Sequence, residues 1–194
     1  MKSALVTAGA TMVPIDSVRA ITNIFRGRTG TNVALCFAHR GWEVTLLTSN
    51  PSLLEGSPAK NLRVETFHTY DELFSAMKKE ICSECAYDAI IHSAAVSDYK
   101  VDGTFVYRPE SGMQAVGSEG KIASSFKELY LRLTPTQKIV DLIREPWGYR
   151  GYLVKFKLQT LMTDERLLTI AEESRIHSKA DIDRFVSEMK GILQ

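Results

Sequence analysis

Three short runs constrain this chain more than any other feature: residues 3–8 (SALVTA), 42–48 (WEVTLLT) and 89–93 (AIIHS). Each is mostly apolar, too short to read as a helix, and ends in small or turn-forming residues, as buried strands do. Between them lie two stretches with helical spacing. The first runs from about Thr29 to Arg40, carries Val33, Leu35, Phe37 and Ala38, and stops at Gly41. The second, 70–82, repeats Tyr70, Leu73, Phe74, Met77 and Ile81 on one face. A further short strand is expected at 64–67. Strand, helix, strand, helix, strand in this rhythm implies parallel pairing through right-handed crossovers. The expected fold class is α/β, a Rossmann-like layered fold with a mainly parallel sheet, in a single domain over residues 1–194.

The stretch 9–30 reads as a polar loop. The rhythm breaks again over 98–130, rich in Gly, Ser and charge, which reads as a long irregular flap. It resumes with a helix at 136–144, a strand at 151–157 and a helix at 163–176. In the tail, Ile182, Phe185, Val186, Met189 and Leu193 share one helical face, so 178–194 is expected to be a C-terminal helix.

The chain carries 24 basic and 23 acidic side chains, a net charge of +1. That balance leaves no electrostatic footprint for nucleic acid or an anionic membrane. No run approaches the roughly 18 apolar residues of a membrane span, and the opening Met1-Lys2-Ser3-Ala4 lacks a signal-peptide pattern. A cytoplasmic protein is expected. Three cysteines, Cys36, Cys82 and Cys85, agree with reduced thiols. Cys82-Ser83-Glu84-Cys85 spells C-x-x-C, but no second pair or ligand-spaced histidines follow, so no metal site is assigned. Cys36 reads as a small core residue.

In a parallel α/β sheet ligands bind beyond the carboxyl ends of the strands. Three loops therefore carry the functional reading. Thr7-Ala8-Gly9-Ala10-Thr11 is small enough for a ligand to approach its backbone. Neither the dinucleotide fingerprint G-x-G-x-x-G nor a P-loop is present. Asn23-Ile24-Phe25-Arg26-Gly27-Arg28-Thr29-Gly30 precedes a helix, where backbone N–H groups and two arginines make a phosphate cradle; the bland alternative is a glycine loop with solvated arginines. His92-Ser93-Ala94-Ala95-Val96-Ser97-Asp98-Tyr99 runs from a strand into a carboxylate, which holds a ligand or caps a turn. His92 reads as a satisfied core histidine, and Lys121 alone as a surface lysine.

Taken together, Thr7-Ala8-Gly9-Ala10-Thr11, Pro14-Ile15-Asp16-Ser17-Val18-Arg19, Thr22-Asn23, Gly27-Arg28-Thr29-Gly30, Ala94-Ala95-Val96-Ser97-Asp98-Tyr99, Lys121-Ile122 and Thr134-Pro135 resemble phosphopantothenoylcysteine synthetase (phosphopantothenate–cysteine ligase). This is the ligase module of the DNA/pantothenate metabolism flavoprotein family, and the resemblance runs from residue 3 to about 176. With no flavin-binding decarboxylase domain ahead of Met1, the stand-alone ligases look most similar, and no tightly bound flavin is expected. The resemblance implies a ligase that joins 4′-phosphopantothenate to L-cysteine through an acyl-nucleotide, on the way to coenzyme A. It implies CTP or ATP as co-substrate, with Mg²⁺ on the triphosphate. The catalytic residues it implies are Asn23, toward the acyl-nucleotide, and Lys121, toward charge growing on phosphate. The nucleotide- and phosphate-binding residues it implies are Gly9, Thr11, Arg26, Gly27, Arg28, Gly30, Ala94, Asp98 and Phe156.

The departures from the family pattern are local. The usual Ser-Asn-x-Ser-Ser-Gly loop is here Thr22-Asn23-Ile24-Phe25-Arg26-Gly27, so two hydroxyls give way to Phe25 and Arg26. The lysine-rich element retains only its first lysine in Lys121-Ile122-Ala123-Ser124, and the strand end reads Lys155-Phe156-Lys157-Leu158-Gln159-Thr160. The family's following strand is expected to be missing, with His177 to Asp181 passing straight into the last helix. These losses keep a non-catalytic nucleotide-binding remnant open as an alternative; a flavin- or NAD-binding oxidoreductase is the other, disfavoured by the absent glycine fingerprint. A homodimer is expected, with the 98–130 flap near its interface and two apolar candidates for contact: Phe105-Val106-Tyr107 and the tail stripe Ile182, Phe185, Val186 and Met189.

Overall fold

Strand β1 (Ser3–Ala8) is the centre of a six-stranded sheet. The computed structural model describes residues 1–56, 59–83, 87–159 and 163–187. From β1 the chain passes through a hairpin, β2 (Met12–Pro14) and β3 (Ala20–Thr22), into α1 (Arg28–His39) and β4 (Glu43–Thr48). A short 3-10 turn at Pro51–Leu54 leads to β5 (Leu62–Thr66), α2 (Tyr70–Ile81) and β6 (Ala89–His92). Then come β7 (Tyr99–Arg108), β8 (Gly112–Val116), β9 (Tyr130–Pro135), α3 (Ile139–Arg144), β10 (Tyr152–Gln159), α4 (Asp164–Ser178) and β11 (Ile182–Ser187).

The main sheet has the order β11-β10-β6-β1-β4-β5, and every neighbouring pair is parallel. This is the Rossmann-like architecture expected from the strand rhythm. The order reverses between β1 and β6, so the loops leaving those two strands lie side by side, where doubly wound sheets open a crevice. Side chains alternate between two cores. Ala4, Val6, Ala8, Val44, Leu46, Ala89 and Ile91 pack with Ala34 and Ala38 of α1. Leu5, Leu47, Ile90 and Leu153 face the other way, onto Leu73 and Met77 of α2 and Ile139 and Ile143 of α3. Helix α2 begins with a capping box, Thr69 and Glu72 each accepting from the other's backbone N–H.

Four expectations are corrected. The polar stretch 9–30 contains the β2–β3 hairpin. The 98–130 flap is largely ordered: β7 and β8 pair antiparallel, and β9 adds to the other edge of β7. Its polar and apolar residues alternate with period two, so Val106 is buried while Tyr107 is exposed. The expected C-terminal helix is instead β11, which extends the sheet parallel to β10 from Val154↔Ile182 onward, so the strand expected to be missing is present. The edge of β10 presents N–H and C=O groups that a strand satisfies and a helix cannot. Asp181 sets the start of β11, its carboxylate accepting from Leu153 N–H (2.7 Å) and pairing with Arg144 (2.7 Å). Cys36 is exposed on α1 rather than in the core, where it contacts Arg40. Cys82 is exposed at the C-terminal end of α2; Cys85 and Met189 lie outside the described residues.

Candidate functional site

The loops after β1 and β6 are joined by hydrogen bonds at the switch point. Ala95 N–H donates to Gly9 O (2.8 Å), and Thr11 N–H donates to Ala95 O (3.2 Å). Thr11 is fully buried; its hydroxyl pairs with Ser97 Oγ (2.9 Å) and accepts from Ser97 N–H (2.8 Å). Thr11 therefore shapes the loop through its own hydroxyl. Ser49 Oγ accepts from Ala10 N–H (2.9 Å), tying the end of β4 into the same floor.

Below this floor a polar row crosses the sheet. Thr7, His92 and Lys155 are register neighbours on β1, β6 and β10, and all three are buried. Thr7 Oγ1 accepts from the N–H groups of Ser93 and Ala94 (both 3.1 Å), so its own hydrogen goes to His92 Nδ1 (2.9 Å). That leaves His92 neutral with its proton on Nε2. Burial, and then the neighbouring Lys155 charge, push its pKa down to about 4. Lys155 donates to both O and Oγ of Ser174 (2.6 Å each). His92 is thus the satisfied core histidine that was expected.

The other wall is the entrance to α1. Gly27 caps the helix in the left-handed region (φ 86°), with no side-chain cap and no acid in the first turn. Its first-turn N–H groups are the orphan donors to which an anion binds. Glycine is required by contact as well as by φ. A Cβ on Gly27 would lie 2.3 Å from Gly9 N, and one on Gly30 would lie 2.7 Å from Ala8 Cβ. Gly30 is buried, so its part is close packing of α1 onto β1. Arg26 and Arg28 are exposed, and neither guanidinium has a protein partner among the described residues. Asn50 Nδ2 donates to Arg26 O (3.3 Å), holding the loop to the end of β4.

Between these walls lies a cleft of about 260 Å³, lined among others by Asn23, Phe25, Arg26, Ser49, Asn50 and His68. Asn23 Nδ2 donates to Ala95 O (3.2 Å), which leaves its Oδ1 and one amide hydrogen available. The structure therefore brings together Asn23, Arg26, Gly27 and Gly9. Ala94 is in the adjoining floor, its N–H committed to Thr7. Asp98 is exposed at the end of that loop, its carbonyl accepting from Thr136 N–H (2.9 Å). Phe156 stands on β10, half-buried against the α1-side core. Lys121 is exposed and does not line the cleft; its neighbour Ile122 is hydrogen-bonded to Asp16 and Arg19 at the turn of the β2–β3 hairpin.

That turn is built on Asp16, whose carboxylate is wholly buried. Burial alone would raise its pKa; hydrogen bonds from Val18, Arg19 and Ile122 outweigh that and hold it well below the ordinary carboxylate range. Ser49, Asn50 and His68 had no part in the sequence reading. Ser49-Asn50-Pro51 reads only as the end of a strand, although the ends of β4 and β5 fall under the same carboxyl-end rule that singled out the other loops.

The lining offers amide, hydroxyl, imidazole and guanidinium groups but no carboxylate. The only Mg²⁺ ligands that lining would supply are neutral oxygens, such as Asn23 Oδ1. No helix of the described residues is long and apolar enough to cross a membrane.

Known proteins resemble this chain in sequence and fold. The coenzyme A biosynthesis bifunctional protein CoaBC of Thermococcus kodakarensis is 33% identical over 184 residues, 93% of this chain and 40% of its own length. The CoaBC of Escherichia coli K12 is 28% identical over 178 residues, 92% of this chain and 39% of its own. This chain thus spans well under half of these curated relatives. The crystal structure of the DNA/pantothenate metabolism flavoprotein from Streptococcus pneumoniae superposes with a TM-score of 0.81 at 30% identity, covering 96% of this chain and 82% of that one. A Cab2 mutant in complex with phosphopantothenate-cysteine shares the fold, with a TM-score of 0.72 at 18% identity over 96% of this chain and 72% of that one. The family model described as the DNA/pantothenate metabolism flavoprotein C-terminal domain matches residues 1–183, and the chain belongs to that family.

Proposed function

We propose that this domain is a nucleotide-dependent ligase that joins 4′-phosphopantothenate and L-cysteine through an acyl-nucleotide in coenzyme A biosynthesis. The observation that carries the reading is the Asn23–Ala95 hydrogen bond (3.2 Å). It draws the hairpin end and the Ala94-Ala95-Val96 loop, two of the segments that resemble the ligases, to one cleft beside an uncapped helix entrance. The relatives named for coenzyme A biosynthesis, and the Cab2 structure with phosphopantothenate-cysteine, support the same substrates.

In the first step the phosphopantothenate carboxylate attacks the α-phosphate of CTP or ATP, and pyrophosphate leaves. In the second, the cysteine amine attacks the acyl carbon, the nucleoside monophosphate leaves, and the amine proton passes to solvent. The work of the protein is positioning and charge stabilisation. The N–H groups between Gly27 and Gly30, with Arg26 and Arg28, hold phosphate oxygens; Gly9 lets them approach the floor. Asn23 donates its remaining amide hydrogen to the acyl-nucleotide. Ala94 and Asp98 bind the nucleotide, and Phe156 lies against the base. Lys121 offsets charge growing on the phosphates. The protein acts in the cytoplasm as a two-fold homodimer, with Tyr107, Met113 and Tyr130 of the β7–β9 arm, all exposed, near the interface.

The remnant reading loses one of its supports, because β11 is present. Pyrophosphate release from CTP or ATP in the presence of phosphopantothenate and cysteine tests the proposal directly; none with either nucleotide overturns it. Asn23→Asp removes a donor and adds a negative charge, a loss of a few kcal/mol. The acyl-nucleotide is expected to accumulate in that variant, detectable by mass spectrometry of quenched reactions. Unchanged steady-state turnover would remove Asn23 from the site.

A further inference from the structure

The turn of the β2–β3 hairpin reaches a distant part of the chain. Asp16 Oδ1 accepts from the N–H groups of Val18 (2.9 Å) and Arg19 (2.8 Å), which closes the turn locally. Its second oxygen, Oδ2, accepts from Arg19 Nε (3.0 Å) and Nη2 (2.6 Å), and from the backbone N–H of Ile122 (3.0 Å). Arg19 Nη2 also donates to Ile122 O (2.6 Å). Both polar backbone groups of Ile122 are thereby gripped by one ion pair from a hairpin about a hundred residues earlier. Its side chain is buried as well, at 2% exposure. Among the described residues, Ile122 is the one member of 118–127 with a hydrogen bond to a residue outside that segment.

Lys121 is the residue next to this grip. Its Cα is one peptide unit, about 3.8 Å, from a backbone that cannot shift without breaking hydrogen bonds to the buried Asp16 carboxylate and its partner Arg19. An exposed lysine on an otherwise untethered loop loses reach and direction to conformational freedom, and anchoring the adjacent peptide removes most of it. We propose that Asp16, acting with Arg19, is a positioning residue that fixes Lys121 for charge stabilisation at the transferring phosphates. This rests on the role given to Lys121 above. Asp16 itself, wholly buried, touches no substrate.

The experiment compares Asp16→Asn, Lys121→Ala and the double variant. Asparagine keeps the Oδ1 acceptor for the turn and removes the charge that binds Arg19 and Ile122. Three quantities are read: amide hydrogen exchange over 118–125, kcat for pyrophosphate release, and the nucleotide KM. Asp16→Asn is expected to speed exchange over 118–125 at least tenfold. It is expected to lower kcat at least tenfold while KM changes less than threefold. In the Lys121→Ala background the same substitution should change kcat less than twofold, because the group it positions is gone. Unchanged exchange, or an equal kcat loss with Lys121 already alanine, overturns the proposal. Full activity of Lys121→Ala alone also overturns it, through the reading it rests on; accelerated exchange in Asp16→Asn then shows that the grip is real and that the role of Lys121 failed. Should Asp16→Asn not fold, Ile122→Pro removes the Ile122 donor and leaves the hairpin intact, and the same outcomes apply.

Discussion

The two walls of the cleft differ in how far their polar groups are already satisfied. On the β1–β6 side nearly every one is paired within the protein: Thr7 with Ser93, Ala94 and His92, Thr11 with Ser97, Gly9 with Ala95. At the α1 entrance the helix has no side-chain cap and no acid in its first turn, and Arg26 and Arg28 point no charge at any described partner. Buried polar groups are satisfied because leaving them unpaired costs about 1–3 kcal/mol each. Groups left unpaired at a cleft are the ones a ligand can still use. One wall holds the fold, and the other is ready for an anion.

The sharpest way to break this contrast is at the contact between the walls. Gly27→Ala places a Cβ 2.3 Å from Gly9 N in a left-handed conformation, so steric overlap and backbone strain add. A loss of about 3 kcal/mol or more is expected in urea unfolding. A wild-type midpoint would mean that the walls do not bear on each other.

The paired wall also predicts a pH dependence. His92 is neutral in the fold, its pKa lowered to about 4 by burial and then by Lys155. An unfolded histidine takes its proton near pH 6.5, so the folded state is disfavoured as pH falls below that value. The contribution is complete above about pH 6.5 and is lost progressively between pH 6.5 and 4, up to about 3 kcal/mol. His92→Gln should flatten that part of the stability profile; an unaltered acid slope would place the proton uptake elsewhere.

Thr11→Val keeps the shape of the side chain and strips Ser97 N–H of its acceptor. About 1–2 kcal/mol of stability should go, read as a lower thermal midpoint. Arg28→Ala lies at the other extreme: stability within about 0.5 kcal/mol of the parent, with nucleotide affinity weakened several-fold by titration calorimetry. A thermal loss in Arg28→Ala as large as that in Thr11→Val would erase the distinction between the walls.

Much of the parallel core was legible because its signal is local. The runs of β1, β4 and β6 are apolar on both faces, and the helices between them repeat every three to four residues. The glycine that caps α1 was legible too, since Gly27 immediately precedes a helical pattern. The arm was not. Along β7 the alternation is diluted by Lys100, Asp102 and Gly103, and a register shift between Val101 and Gly103 breaks the period. The tail shows the opposite failure: Ile182, Phe185 and Val186 fit a helical spacing, yet the residues pair as a strand because β10 offers an open edge. A short apolar run carries both periods at once, and pairing chooses between them.

By itself the sequence determined the elements whose stability is local: which segments form the buried strands, where α1 and α2 lie, and which loops must meet at the carboxyl ends of β1 and β6. Its motifs also determined the family. Tertiary structure alone decided that β11 completes the sheet, that Cys36 faces solvent, that the Thr11 hydroxyl is held by Ser97, and that Ile122 docks on Asp16. Apart from the exposure of Cys36, each of these depends on partners tens of residues away along the chain. Propensity and periodicity are properties of a few neighbouring residues, whereas a hydrogen bond between Asp16 and Ile122 exists only after the sheet has brought residues 106 positions apart into contact.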